Sequence, residues 1–519
     1  MSRLRARLRS DAGLALPTVI AVMILVSALT AALLTTVQAD TGLSRRDQDR
    51  KAAYAAAEAG LNAYMFRLAD DSEVWSNCTN IGGTPYVSQQ WSGTGADTRS
   101  WRNLPGSEAQ YTVELLPNQT HTTCDATSAT TAADSLLDQG IINVRATGRM
   151  RGIKRSIVAR LRRKGFLDFI YFTNYETRDP AWYSPAAYAA WASANCGYWR
   201  DGRGSRTYGG GGGCVELNFI AQDSITGPFH TNDSILTCGS PTFGGGGSTR
   251  IEMNPPAPGW RGNGSCSGSP TFDGAQVTAV NVLPMPPTNL ALLADALPAY
   301  VFTGTKHITL KTDGTFDIRD DASGVTTTLP YPANGLIYVK NGACGVGYNA
   351  DTPLVQPVGC ANVFVHGTNG TSLTIASQKD VVVDGDIRNA NDALLGLVAN
   401  EFVRVQHVVS PASTSTCSAD AAPLLSDLHI EAAILSLAHS FAVDAYTCGS
   451  GMGTLHVFGS IAQNYRGAVG TFSGGTLATG YKKDYRYDNR LSYRSPPHFL
   501  DPVSASWRLL SEHEQTPAR

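Results

Sequence analysis

VVVDGDI (residues 381–387), LHIEAAI (428–434) and LHVFGSI (455–461) share one pattern: apolar, any, apolar, any, small, any, isoleucine. ITGPF (225–229) and FVHG (364–367) echo parts of it. Period-2 apolar residues send alternate side chains to one side of a strand, and a small residue lets the backbone turn a corner. Repeated along a chain, the pattern predicts short strands stacked as rungs, each burying its apolar side against the next. The intervals between copies are unequal, which points to a solenoid carrying insertions and away from a strict array. The expected architecture of residues 331–480 is therefore an irregular right-handed parallel β-solenoid, with an ordinary β-sandwich of similar strands as the alternative.

Working outward, residues 166–290 read as a first β region punctuated by glycine and proline. GGGGG (209–213), GGGG (244–247) and LPMPP (283–287) are expected in loops or tips. A short helix at 289–296 and a hairpin around HITLKTDGTFDI (307–318) fill a helix-hairpin insertion at 291–330. Residues 481–519 read as a C-terminal tail, in which DPVSASWRLLSE (501–512) carries Val503, Trp507 and Leu510 on one side of an amphipathic helix. Such a helix would cover the exposed strand edge at one end of the solenoid. Nearer the N-terminus, alternation in Tyr111-Val113-Leu115 and Ile157-Ala159-Leu161 predicts strands of a small antiparallel sheet within a head spanning 69–165.

Charged residues make up 16% of the 519, Gly is abundant at 52, and the net charge is −2. This balance suits an exported, loop-rich β protein and predicts no global attraction to nucleic acid or anionic lipid. The ten cysteines begin at Cys78 and include no CxxC. They suggest disulfides formed in an oxidising compartment. A nearest-neighbour scheme gives Cys78–Cys124, Cys196–Cys214, Cys238–Cys266, Cys344–Cys360 and Cys417–Cys448, although spacing alone leaves other connectivities open.

At the N-terminus, Arg3, Arg5, Arg7 and Arg9 precede an uncharged stretch from Ala12 to Ala39. As a helix it would run about 42 Å, more than a hydrocarbon core of about 30 Å requires. The basic flank places this end in the cytoplasm. The stretch exceeds a signal-peptide apolar region, although Val37-Gln38-Ala39 resembles a signal-peptidase site. Beyond it, Tyr54, Ala57, Leu61, Tyr64 and Leu68 recur at helical spacing. One helix spanning 14–68 is expected to leave the bilayer and continue into the head.

A basic leader ending at Gly13, an apolar helix beginning at Leu14 and YAAAEAGLN at 54–62 together resemble type IV pilin-like proteins, most closely PilX-type minor pilins. The resemblance covers residues 1–68. It implies a leader at 1–13, cleavage between Gly13 and Leu14 by a prepilin peptidase, and retention of the helix as anchor and later as filament packing. Major pilins of the family carry Glu at the fifth mature position, which here is Thr18. Its loss implies a tip, priming or adhesive subunit and not a filament-building one. Pro17 falls in the first turn, where its missing N–H costs nothing.

The candidate chemistry outside this segment is sparse. Asp384 and Asp386, two apart on a strand, could face one side as a carboxylate pair. His429 and His456 occupy the same place in two copies of the pattern and could share a metal if the rungs stack. YKKDYRYDNRLSYR (481–494) interleaves Tyr481, Tyr485, Tyr487 and Tyr493 with Lys482, Lys483, Arg486, Arg490 and Arg494, the composition of a DNA-binding segment. Sealing of the solenoid is the plainer reading of that run, as ladders of surface polar groups are of the others. No P-loop, HExxH or GxSxG stands in the right surroundings.

The resulting expectation is an α+β protein: a long pilin-like helix, a small antiparallel sheet and a mostly β domain. It would be a non-catalytic, single-pass membrane protein with an extracytoplasmic C-terminal domain, found at the cell surface or pilus after assembly. No cofactor or metal is called for. Its partners would be the membrane, other pilin-like subunits and the pilus assembly machinery, with a surface ligand or DNA as a further partner. The competing reading is an exported β-helix polysaccharide-active enzyme with a cleaved signal peptide.

Overall fold

The computed structural model describes residues 15–70, 74–78, 94–118, 121–124, 132, 135–137, 141–163, 165–502 and 507–519, apart from 210, 248, 346–356, 414–415, 422–423, 474–475 and 493. Gly13, Leu14, Val503 and Tyr493 lie outside these residues. The chain divides into two compact units, Met1–Arg163 with Ser506–Arg519, and Lys164–Ala505. The β regions expected at 166–290 and 331–480 and the insertion between them are thus parts of one unit, and the last residues belong with the first.

In the first unit a single helix, α1, spans Ala15–Asp70. Good helix formers and the absence of proline after Pro17 allow 56 residues without a break. Ala15–Leu33 is long and apolar enough to cross a membrane, with a mean hydropathy of 2.3 and no residue of that stretch buried. Farther along, Ala53, Ala56, Ala57, Leu61, Tyr64 and Leu68 form one buried stripe. It packs on an antiparallel sheet ordered Arg102–Asn103, Gln110–Leu116, Ile141–Met150, Ile153–Arg163, Trp507–Gln515. Tyr111, Val113 and Leu115 join Ile142, Val144, Ala146, Ile157, Ala159 and Leu161 in the apolar core with the helix. Gly148 is required there: a Cβ would lie 1.9 Å from the Ala53 carbonyl oxygen. The alternate residues are polar, and Arg99 donates to Glu114 at 3.0 Å while Arg145 donates to the same carboxylate at 2.9 Å.

The C-terminal segment corrects an expectation. Trp507–Gln515 is a strand pairing antiparallel with Ile153–Arg163, not an amphipathic helix. Trp507 is buried against Trp75. The edge offered by Ile153–Arg163 attracts an extended partner, and pairing satisfies backbone groups that a helix would have left open.

In the second unit three sets of strands stack in parallel. In one, Val301–Thr303 pairs with Leu336–Lys340, and the ladder continues through Leu373–Ser377, Leu395–Ala399, His429–Ser436 and Gly451–Arg466. It then jumps backward in the chain to Tyr171–Arg178 and proceeds to Phe229–Thr231, Arg250–Met253 and Ala275–Thr278. The chain therefore enters this stack at its middle, winds to one end, crosses to the other end and winds back. From Val363–Asn369 to Gly451–Arg466 the strands pair in parallel, apart from the antiparallel pair of Val409–Ser410 with Ala419–Asp420.

One side of this ladder is Ile337, Ile375, Leu397, Ile434, Ile461, Tyr171, Phe229 and Ile251, all in the main core. The opposite side is apolar as well: Tyr338, Ala376, Val398, Leu435, Ala462 and Phe172 pack with Leu283, Leu292 and Ala296. LPMPP is thus part of a strap over the ladder and not a loop tip. The strap includes a helix, α2, at Leu290–Asp295. The Leu283 carbonyl accepts from Asn232 at 2.8 Å, and Asn289 donates to the Ser377 carbonyl at 2.6 Å. Strands buried on both faces need such a cover, and their sequences read as continuous apolar runs. The expected hairpin forms from Lys306–Leu310 and Thr315–Asp320.

The small residue of the repeat does mark a corner. Val457 belongs to one ladder and Ile461 to the next, with Gly459 between them. Gly459 has φ +156°, and a Cβ there would meet the Ala432 carbonyl oxygen at 2.0 Å. Ile225, Gly227 and Phe229 repeat the same turn two rungs away. The first copy is different. Ile387 pairs with Ile430 and not with Ile434, because Val381–Val383 lie in a third ladder and the chain turns at Asp384–Asp386. VVVDGDI is shifted by one corner relative to its sequence relatives.

Candidate surface site on the second unit

That shift builds a feature the pattern alone did not give. On the outer side of the ladder through Ile387, Ile430, Val457 and Tyr485, two columns of side chains run across four rungs. The first column is Asp386, His429, His456 and Asp484; the second is Arg388, Glu431, Phe458 and Arg486. The columns line a groove of about 350 Å³. Residues two apart on a strand face one side, so each rung contributes one member to each column.

The two imidazoles stack with centroids 4.3 Å apart and planes 11° from parallel. Direct stacking of these two copies was legible in the sequence. Shared metal binding does not follow from it, since stacked rings direct their nitrogen lone pairs side by side and not toward a common point. Among the described residues no group of three or more His, Cys, Asp or Glu is placed to hold a metal ion. His456 Nδ1 lies 2.8 Å from Asp484, which also accepts from Arg486 Nε at 3.0 Å. Asp386 accepts from the His429 backbone N–H at 3.0 Å. Burial, followed by the charge of Arg388 and the neighbouring imidazole, lowers the pKa of His429.

Asp384 and Asp386 do not work as a pair. The bulge at 384–386 sends Asp384 to His366 Nδ1 at 2.9 Å, with His307 Nδ1 at 3.9 Å. Burial opposes the Asp384 charge, but hydrogen bonds from His307 and His366 outweigh it and hold its carboxyl below the ordinary range. Its hydrogen bond to Asp384 correspondingly raises His366. A carboxyl held ionised in this way is unsuited to the general-acid half of a glycosidase pair.

The tyrosine-rich run is likewise corrected. Tyr481, Tyr485 and Tyr487 are core residues, and Lys483 is inside with them, donating to Asp223 at 2.8 Å. Period 2 along Thr476–Tyr487 sends the odd-numbered residues inward, which removes three rings and one cation from any DNA-binding face. Arg490 and Arg494 are both held by Asp392.

Thr18 lies in the first turn of α1, where its hydroxyl donates to the Ala15 carbonyl at 3.0 Å. The cysteines form five disulfides, Cys78–Cys124, Cys196–Cys214, Cys238–Cys266, Cys344–Cys360 and Cys417–Cys448.

No protein-family model matches the chain. No curated protein matches it either. Among solved structures it is similar to the crystal structure of the competence-associated pilin ComZ from Thermus thermophilus, at 12% identity over 91% of this chain and 98% of that one. The TM-score is 0.27, too low to carry an argument about fold or role.

Proposed function

We propose that the protein is a non-catalytic, PilX-type minor pilin-like subunit of a type IV pilus or related secretion filament, anchored in the membrane before assembly. The observation that carries this reading is α1, one uninterrupted helix whose apolar stretch Ala15–Leu33 is exposed while its later turns bury a stripe under a sheet. A plain anchor has no need of that continuity, whereas a subunit that leaves the bilayer for a filament uses the same helix in both places. Thr18 presents a hydroxyl where a filament-building subunit would present a carboxylate, which favours a tip, priming or adhesive position. The parallel ladders of the second unit are read as an irregular right-handed solenoid displayed outside the cell, where the five disulfides persist.

Mass spectrometry of the mature N-terminus tests the proposal. The expected first residue is Leu14, in protein that stays with the membrane fraction. A chain beginning at Asp40 and released as soluble protein would overturn it in favour of an exported enzyme. Substitution of Gly13 should leave unprocessed protein that fails to enter filaments.

A further inference from the structure

We infer that the two-column groove on the second unit is a binding site for a neutral oligosaccharide. The inference does not depend on filament assembly, since it rests on the geometry of this surface alone.

Phe458 is the first ground. It is 41% exposed, and its neighbours in the column, Glu431 and Arg486, are charged. Its phenyl ring offers one apolar surface within an otherwise polar groove, the arrangement that lets a site take an apolar face and polar groups of the same ligand. The stacked imidazoles beside it cover each other's faces and meet the groove with their edges.

Unused hydrogen-bonding capacity is the second. Neither ring nitrogen of His429 has a hydrogen-bond partner among the described residues, although the ring is held in place by His456. Arg486 bonds Asp484 through Nε alone, and its side chain is 66% exposed. The Asp386 side chain is 55% exposed. Donors and acceptors thus alternate around the aromatic centre, held at fixed positions by the rungs below.

Charge and spacing select among ligands. Three carboxylates (Asp386, Glu431, Asp484) face two guanidiniums (Arg388, Arg486), and contacts between them join both guanidiniums to carboxylates. This leaves no positive field for nucleic acid or a sulfated chain. The rungs repeat at about 4.8 Å, whereas an extended peptide advances about 3.3 Å per residue and would fall out of step across four rungs. A sugar ring is about as long as one rung is deep. It offers an apolar C–H face to Phe458 and hydroxyls that both donate and accept. The four rungs span about 14 Å, the length of a short oligosaccharide.

The test uses the full-length protein in a detergent without a sugar headgroup. The probes are an array of neutral hexose and N-acetylhexosamine oligosaccharides, with heparin fragments and acidic peptides on the same surface. Saturable binding of at least one neutral oligosaccharide is expected. Phe458→Ala and Arg486→Ala should each weaken it about tenfold or more, a loss in keeping with one aromatic or charged contact. Thr327→Ala, on an exposed strand elsewhere in the unit, should bind as the unaltered protein does. Both site residues are exposed, so the variants should keep the near-UV circular dichroism of the folded protein. The inference is overturned if no neutral oligosaccharide binds, if binding survives both substitutions, or if heparin or the peptides are preferred.

Discussion

The sheet of residues 1–163 and 506–519 places apolar side chains on one face and polar ones on the other, whereas the longest ladder of residues 164–505 is apolar on both. In the first unit, Val113 faces α1 while Glu114, one residue on, joins Arg99 and Arg145 on the opposite face. In the second, Ile434 faces the main core and Leu435 faces the strap. In the antiparallel sheet the polar face is buried too, and its Glu114, Arg145, Thr147 and Ser156 are satisfied by hydrogen bonds among themselves and with Arg99, while α1 covers the apolar face. The strap-side column of the parallel ladder is apolar from Tyr338 to Phe172, before His230 and Glu252 follow it, and such a column needs a second layer, which a segment of proline-rich chain supplies. The contrast shows why apolar–polar alternation marks the strands of the first unit, whereas the second is marked by a repeated apolar pattern that does not name its covering layer.

The largest expected effect concerns buried charge in the second unit. Arg404 donates to Asp380 at 3.0 Å and to Asp444 at 2.7 Å, all three side chains being nearly inaccessible. Arg404→Met would leave two carboxylates without their cation, at about 3–5 kcal/mol. Calorimetry should show this loss in the transition of the second unit alone; an equal shift in both transitions would break the separation of the units.

Next comes the disulfide of the first unit. Replacing Cys78 and Cys124 with alanine should cost about 2–4 kcal/mol by releasing the loop between them in the unfolded chain. That loss should appear in the other transition, and its absence would mean that α1 and the sheet hold the unit unaided. Gly459→Ala places a Cβ against the Ala432 carbonyl at a positive φ, for about 1–3 kcal/mol. A neutral result would show that the corner can open.

The smallest effect is a pH dependence. His366 is raised above 6.5 in the folded protein, so its contribution is complete below that value and fades as pH rises through the folded pKa. Asp384 is lowered below 3.8, so its contribution is complete above that value and fades as pH falls through the folded pKa. Their mutual stabilisation is therefore fullest between about pH 4 and 6.5. His366→Gln should destabilise most in this window, by under about 1 kcal/mol because the imidazole is partly exposed. Urea titrations at pH 5.5 and 8.5 check it, and equal losses at both values would place the effect in packing.

Local pattern decided several features unaided. Helical spacing from Tyr54 to Leu68 gave the continuation of α1, and alternation gave the strands around Val113 and Ala159. The matched copies LHIEAAI and LHVFGSI placed His429 on His456. These rest on periodicity within a few residues, where backbone geometry dictates which side chains share a face. Partner choice was not decided this way. Ile461 pairs with Tyr171, some 290 residues earlier, and Trp507 with Arg163. Ile387 sits beside Ile430 and not Ile434. Period 2 fixes a face but not the strand across from it, because any apolar strand can fill the next rung. Only the folded chain selected the order of rungs, brought Asp386 and Arg388 alongside the stacked histidines, and turned Tyr481, Tyr485 and Tyr487 inward. The sequence by itself determined α1, the strands around Val113 and Ala159 and the stacking of two repeat copies; the tertiary structure decided the neighbours and made Trp507–Gln515 a strand, because burial rewards apolar area wherever in the chain it comes from.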